Sequence, residues 1–172
     1  RKIESPNFYL THDESKSFLA KKDKANFTEF YQWQRERFNI LINQETYKPL
    51  GGKLSFDTDN RKRLPKDHVL PSFQVFGSNK YVDEAKEYVA HHFPDNPGTT
   101  DDFPWPTNHE EAVQWLDEFV ETRLDDFGPF EDAIDGKAPW VYHSALSPVI
   151  NIGLLSPMQV VDTAVKRHEQ RE

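Results

Sequence analysis

The chain of 172 residues, 36% hydrophobic and 13% aromatic with a net charge of −8, is long enough to bury a core in one domain or where two domains meet. It contains no cysteine, which excludes disulfides, thiolate metal sites and iron–sulfur ligation by these residues. No apolar run approaches the roughly 18 residues that cross a bilayer and no signal peptide opens the chain; the expectation is a soluble, cytoplasmic protein with no membrane partner, and the start at Arg1 rather than Met reads as an excerpt of a longer chain.

In chain order, Asn7–Leu10 predicts a short strand, and a short helix follows over Glu14 to Lys21. Asn26 has the chemistry of a helix cap, with Glu29 at the third helical position. Phe27, Phe30, Tyr31, Phe38, Leu41 and Ile42 fall on one face of that helix, Gln34 and Arg35 bridging the gap. From Thr46 to Ser78 periodicity disappears, and Pro49, Gly51-Gly52, Pro65 and Pro71 punctuate an irregular stretch best read as an interdomain connector. Ser78 then predicts the cap of a helix over Lys80 to His92, with Tyr81, Ala85, Tyr88 and Val89 inward. Residues 94–106 read as another loop.

Thr107-Asn108-His109-Glu110 has the form of a capping box, and Ala112, Trp115, Leu116, Phe119, Val120 and Leu124 recur behind it at helical spacing until Gly128-Pro129. Ser156-Pro157-Met158-Gln159 is a second capping box, with Pro at the first helical position and Val160, Val161, Ala164 and Val165 on the buried face. There is no internal repeat and no low-complexity tract. The fold class is predominantly α.

The segment richest in chemistry is Tyr142-His143-Ser144-Ala145-Leu146-Ser147-Pro148, continuing to Gly153-Leu154-Leu155-Ser156-Pro157. If Ser147 caps a helix starting at Pro148, free N–H groups, two hydroxyls and the positive end of a helix converge on one spot, which suits a phosphate. Plain helix capping accounts for the same residues without a ligand, and on physical grounds both readings stand.

Other candidates fall away. His91 and His92 are adjacent, so on a helix they diverge rather than chelate. Asp57 and Asp59 open like a calcium loop, but Lys62 occupies the glycine position and His68 the glutamate position. Glu110-Glu111, Asp117-Glu118 and Asp125-Asp126 fit an outer solvated helix face. Charge is uneven: residues 1–66 carry 14 Lys/Arg against 9 Asp/Glu, and residues 67–172 carry 7 against 20. Arg61-Lys62-Arg63 and Lys21-Lys22-Lys24 suit a nucleic-acid backbone in charge but lack interleaved stacking aromatics, and solvated surfaces explain them as well.

The run at 142–148 resembles the Thr-Ser-x-Leu-Ser-Pro segment of the photolyase/cryptochrome family, and Gly153-Leu154-Leu155-Ser156-Pro157 resembles that family's next helix start. Gly51-Gly52-Lys53-Leu54-Ser55-Phe56-Asp57-Thr58-Asp59-Asn60-Arg61 and Phe127-Gly128-Pro129-Phe130-Glu131-Asp132-Ala133-Ile134 are similar to strips of the bacterial photolyase-related branch. The resemblance runs from about Ser5 to Glu169 and identifies the chain as an internal piece of such a protein. It implies that 1–48 end an α/β antenna-type domain, 49–106 connect, and 107–172 start a helical flavin-binding domain.

By the same resemblance, Ser144 and Ser147 hold the diphosphate of flavin adenine dinucleotide (FAD), Ala145 and Leu146 add backbone N–H groups, and His143 stands where many relatives have threonine. Phe130 lies near a position where relatives often have a cofactor-touching tyrosine. These residues bind, and none is catalytic. The implied activity of the whole protein is light-driven repair of damaged DNA, with a (6-4) pyrimidine lesion as substrate and reduced FAD as electron donor. An antenna pigment and a four-cysteine 4Fe-4S cluster belong to other parts of that protein. A photoreceptor with the same flavin and a non-enzymatic helical module remain as alternatives.

Overall fold

The computed structural model describes residues 3–21, 23–24 and 26–171, and among these every regular element is a helix. In chain order they are α1 His12–Leu19, α2 Phe27–Arg37, α3 Lys80–His92, α4 His109–Thr122, α5 Leu124–Phe130, α6 Ser147–Asn151 and α7 Pro157–Glu169, with 3-10 turns at Leu50–Gly52 and Asp57–Asp59. None of these helices is long and apolar enough to cross a membrane. The expected predominantly α character holds.

The expected strand at 7–10 does not form; these residues are turn and bend. A strand needs a neighbour to take its N–H and C=O groups, and none is present among the described residues. Side chains anchor the segment instead: Tyr9 meets Phe38 edge-on at 4.6 Å between ring centroids. Asn7 packs on Gly153, whose φ of +78 no β-carbon would tolerate there without meeting the Asn7 amide at 3.0 Å.

α1 starts two residues before the expected position because Thr11 forms a capping box with Glu14. Asn26 caps α2 through the Glu29 N–H, as expected. α2 stops at Arg37, however, and its buried residue is Arg35 rather than the Phe27 of the expected face, which is 84% exposed. The Arg35 guanidinium donates to the carbonyls of Ile40, Leu41 and Leu54, tying the chain that follows α2 back onto it. Donor-rich arginine thereby satisfies three carbonyls that no regular element pairs.

In α3 the N-cap is Asn79 instead of Ser78, and Val82 is the buried residue, while Tyr81 and Tyr88 are exposed. The Ser78 hydroxyl instead bonds Asp83. α4 is likewise capped one residue later than expected: Asn108 accepts from the Glu111 N–H, and Thr107 donates its N–H and hydroxyl to the Glu111 carboxylate. The register shift leaves the apolar face intact. Ala112, Trp115, Leu116, Phe119 and Val120 are buried with Leu146, Val149 and Leu155, forming the main core. α4 ends at Thr122, and Gly128-Pro129 lies inside α5 rather than terminating α4. α7 carries the expected Ser156–Gln159 capping box and packs against α4.

Phe73, Phe76, Trp105 and Trp140 surround Trp115 at 5.7–6.1 Å between ring centroids, and Trp140 also lies 4.5 Å from Phe73 and 5.3 Å from Trp105. These offset and edge-on contacts draw three separate stretches of chain to one helix face. They also set where the strand of chain entering residue 141 must run.

Candidate functional site

The chain approaches the 143–147 strip through a strained turn. Val141 sits at φ +43 and Ala145 at φ +52, a region that costs a β-branched residue most, so packing must hold Val141 in place. It does: Val141 is 3% exposed, and Tyr142 beside it is buried and stacked on Phe130 at 5.5 Å. Burial raises the Tyr142 phenol pKa, with Asp126 adding in the same direction. The indole N–H of fully buried Trp115 donates to the Ser144 carbonyl at 3.3 Å and pins the strip to α4.

Ser147 is the first residue of α6 and Leu146 is its N-cap, with no side-chain cap bond. The Ser147 hydroxyl therefore does not cap, contrary to expectation. Because Ala145 turns left-handed, the chain enters the helix one residue early and Ser147 passes the cap position. Ala145 at φ +52 followed by Leu146 at φ −88, ψ −13 is a left-then-right pair of backbone conformations, the arrangement that gathers successive N–H groups into an anion-binding concavity. Among the described residues no acceptor takes the N–H groups of Ser144, Ala145, Leu146 or Ser147. Leu146 itself is buried, its side chain in the core, while His143 and Ser147 are exposed and Ser144 is half-buried. The five residues share one turn, and α6, at five residues, adds little dipole of its own.

Ser144 also lines a mainly apolar cleft of ≈ 520 Å³ between α4, α5, α7 and the Ile40–Leu41 turn, with Arg167, His168 and Arg171 on its wall. Arg167 pairs with Glu121 at 2.7 Å, and Arg171 with Asp125. That pairing holds the Asp125 carboxyl below its usual range. Sequence reasoning missed this cationic wall and the Trp115 anchor. The i, i+4 spacing of Arg167 and Arg171 was a signal for the first; a contact between residues 29 apart leaves no sequence signal.

The other candidates resolve as follows. The rings of His91 and His92 do not diverge: they meet edge-on at 4.8 Å, since His92 ends α3 and turns to stack on Tyr88 at 4.2 Å. Among the described residues no group of three or more His, Asp or Glu is placed to hold a metal. Of the basic runs, Arg61 pairs with Asp132 at 3.2 Å, linking the basic and acidic parts of the chain, while Lys22 lies outside the described residues.

The segment from Asn60 to His68 is also fastened to the turn ahead of the site. The Lys62 N–H donates to the Pro129 carbonyl, the Asp132 N–H to the Asn60 carbonyl, and Asn60 Nδ2 to Glu131. His68 lies 3.2 Å from Asp135.

A (6-4) photolyase of Agrobacterium fabrum is 31% identical over 163 residues, which is 95% of this chain and 32% of that protein. An uncharacterized protein of Acanthamoeba polyphaga mimivirus is 41% identical over 66 residues, 36% of this chain and 33% of its own. A second one from the same virus is 39% identical over 41 residues, 24% of this chain and 32% of its own. The chain thus spans about a third of the length of these relatives. Residues 1–105 match the family of deoxyribodipyrimidine photo-lyase-related proteins. With that match across more than half its length, the chain belongs to the deoxyribodipyrimidine photo-lyase-related protein family.

Proposed function

We propose that this chain is the part of a photolyase-related flavoprotein that holds the FAD diphosphate, in a whole protein that repairs (6-4) lesions in DNA. The observation that carries the reading is the row of four unaccepted N–H groups from Ser144 to Ser147, with both hydroxyls free, in a family of photolyase-related proteins. A diphosphate suits these residues because it brings several acceptors and no donor. His143, exposed at the start of the turn, donates to an outer phosphate oxygen when its ring N–H faces it. Ala145 and Leu146 contribute backbone N–H groups only. Arg167 and Arg171, each engaged with one carboxylate, keep the nearby cleft wall from becoming anionic.

Reduced FAD, when bound, supplies a light-driven electron to a lesion base turned out of the duplex. This chain's residues bind and orient, and none acts on the lesion. On this reading 1–48 end the antenna-type domain, 49–106 connect and 107–172 begin the flavin domain. An iron–sulfur cluster would be held by other residues, since none of the 172 is cysteine, and an antenna pigment belongs to other parts of the whole protein.

The test is flavin content and lesion repair in the whole protein carrying Ser144→Ala with Ser147→Ala. Neither hydroxyl makes a bond among the described residues, so the cofactor-free form should melt within about 0.5 kcal/mol of the parent. Flavin retention should fall several-fold, and repair with it. Full flavin retention in the double variant removes the diphosphate assignment. A flavin-loaded whole protein without repair activity favours a photoreceptor.

A further inference from the structure

A second cleft, of ≈ 650 Å³, lies between α2, the 55–62 turn and the end of α5. Four aromatic rings line it: Phe27, which is 84% exposed, Tyr31 and Phe56, which are 42% and 45% exposed, and the half-buried Phe127. The Phe56 ring is held in place. Gly51, at φ +76, leaves room for its tip, where a β-carbon would stand 2.8 Å from Cζ, and the Lys53 ammonium sits 4.7 Å from its centroid.

The polar groups of the cleft are mostly acceptors. Asp57 makes no ion pair among the described residues, and Asp59 is already paired with Lys53 at 2.5 Å. Glu131 accepts from Asn60 Nδ2 at 3.0 Å. Asn60 is 7% exposed, and with its Nδ2 committed to Glu131 its Oδ1 has no partner. Lys62 is the single cation among the described residues of the lining, and its charge adds to the Lys53 hydrogen bond in holding the Asp59 carboxyl below its usual range. An anion would meet Asp57 and Glu131, and a purely apolar occupant would leave Asp57 and Asn60 Oδ1 without a donor.

We infer that this cleft takes a guanidinium, the side chain of an arginine carried on a peptide segment. A guanidinium is planar, carries only donors, and is weakly hydrated, so it stacks on aromatic faces while its N–H groups meet carboxylate and amide oxygens. An ammonium of the same charge is a strongly hydrated point donor and fits the flat aromatic walls less well. The ligand differs from that of the 143–147 strip, so the two assignments stand or fall separately.

The experiment titrates the isotope-labelled whole protein with Nα-acetyl-L-arginine amide, and in parallel with Nα-acetyl-L-lysine amide, following amide resonances of the cleft residues. Saturable shifts are expected at the Asn60 side-chain amide and the Gly128 N–H, with the lysine compound binding at least about threefold more weakly. Phe27→Ala, at an exposed position that leaves the remaining spectrum unchanged, should weaken the arginine compound about three- to fivefold. Asp57→Asn should weaken it comparably. Absence of saturable shifts, an equal response to the lysine compound, or unchanged affinity in Phe27→Ala would each overturn the inference.

Discussion

Arg123 offers the sharpest test of the physical reasoning. It is fully buried beneath the aromatic cluster, its guanidinium carbon 3.8 Å from the Phe73 ring centroid. One nitrogen, Nη1, meets both oxygens of Glu118 at 2.7 and 2.8 Å, while Nε and Nη2 have no acceptor. Burial lowers the guanidinium pKa, and Glu118 pulls it back up. The cation is thus tolerated through one carboxylate and two ring faces, those of Phe73 and, at 5.6 Å, Phe119.

Two substitutions separate these terms. Glu118→Gln removes the compensating charge and leaves the guanidinium buried without it, which costs about 3 kcal/mol, the lower end for a broken buried pair because Glu118 is 15% exposed. For a chain of this size that lowers the melting temperature by about 6–12 °C. Arg123→Met removes the buried charge, keeps an unbranched apolar stem against Phe73 and leaves Glu118 with the Thr122 hydroxyl and water. It should cost about 1 kcal/mol or less, since a hydrophobic replacement of a poorly satisfied buried ion is often neutral. Urea titration of both variants and of the double variant reads the difference. If Arg123→Met proves more destabilising than Glu118→Gln, the buried charge is held by more than this one pair and the reasoning is wrong.

Gly51→Ala should destabilise by about 1–2 kcal/mol, measured by thermal melting, because it places a β-carbon at φ +76 and against Phe56. Trp115→Phe removes the N–H that holds the Ser144 carbonyl and opens a void at a fully buried site; a loss of about 2 kcal/mol is expected in the same assay. Glu14 has its pKa lowered first by the Thr11 backbone N–H and then by Arg37. Its folded pKa lies below its unfolded one, so its stabilisation of α1 is present above the ordinary carboxyl range and lost as pH falls through the lowered value. Helicity measured by circular dichroism should therefore fall less steeply over that acid range in Glu14→Gln than in the parent.

The sequence by itself determined what depends on near neighbours. The Asn26 cap, the Ser156–Gln159 capping box and the apolar face from Ala112 to Val120 were all legible, because each involves residues within a turn or two of one another. The 143–147 strip was legible as a group of donors, and the resemblance to photolyase-related proteins was carried by whole runs of residues. Cap positions slipped by one residue at Asn79 and Asn108 where two capping side chains stand together and the better-placed amide takes the role.

Only the tertiary structure decided the rest. Arg35 and Arg123 are buried because distant carbonyls, a carboxylate and a ring receive them, which no periodicity announces. The expected strand at 7–10 found side chains to pack on but no strand to pair with. Ser147 lost its expected capping role because Ala145 turns left-handed, and that turn stands in a strip pinned through Trp115, 29 residues before Ser144. Local chemistry fixes where a helix can start; contacts far apart in sequence fix which groups are left free to meet a ligand.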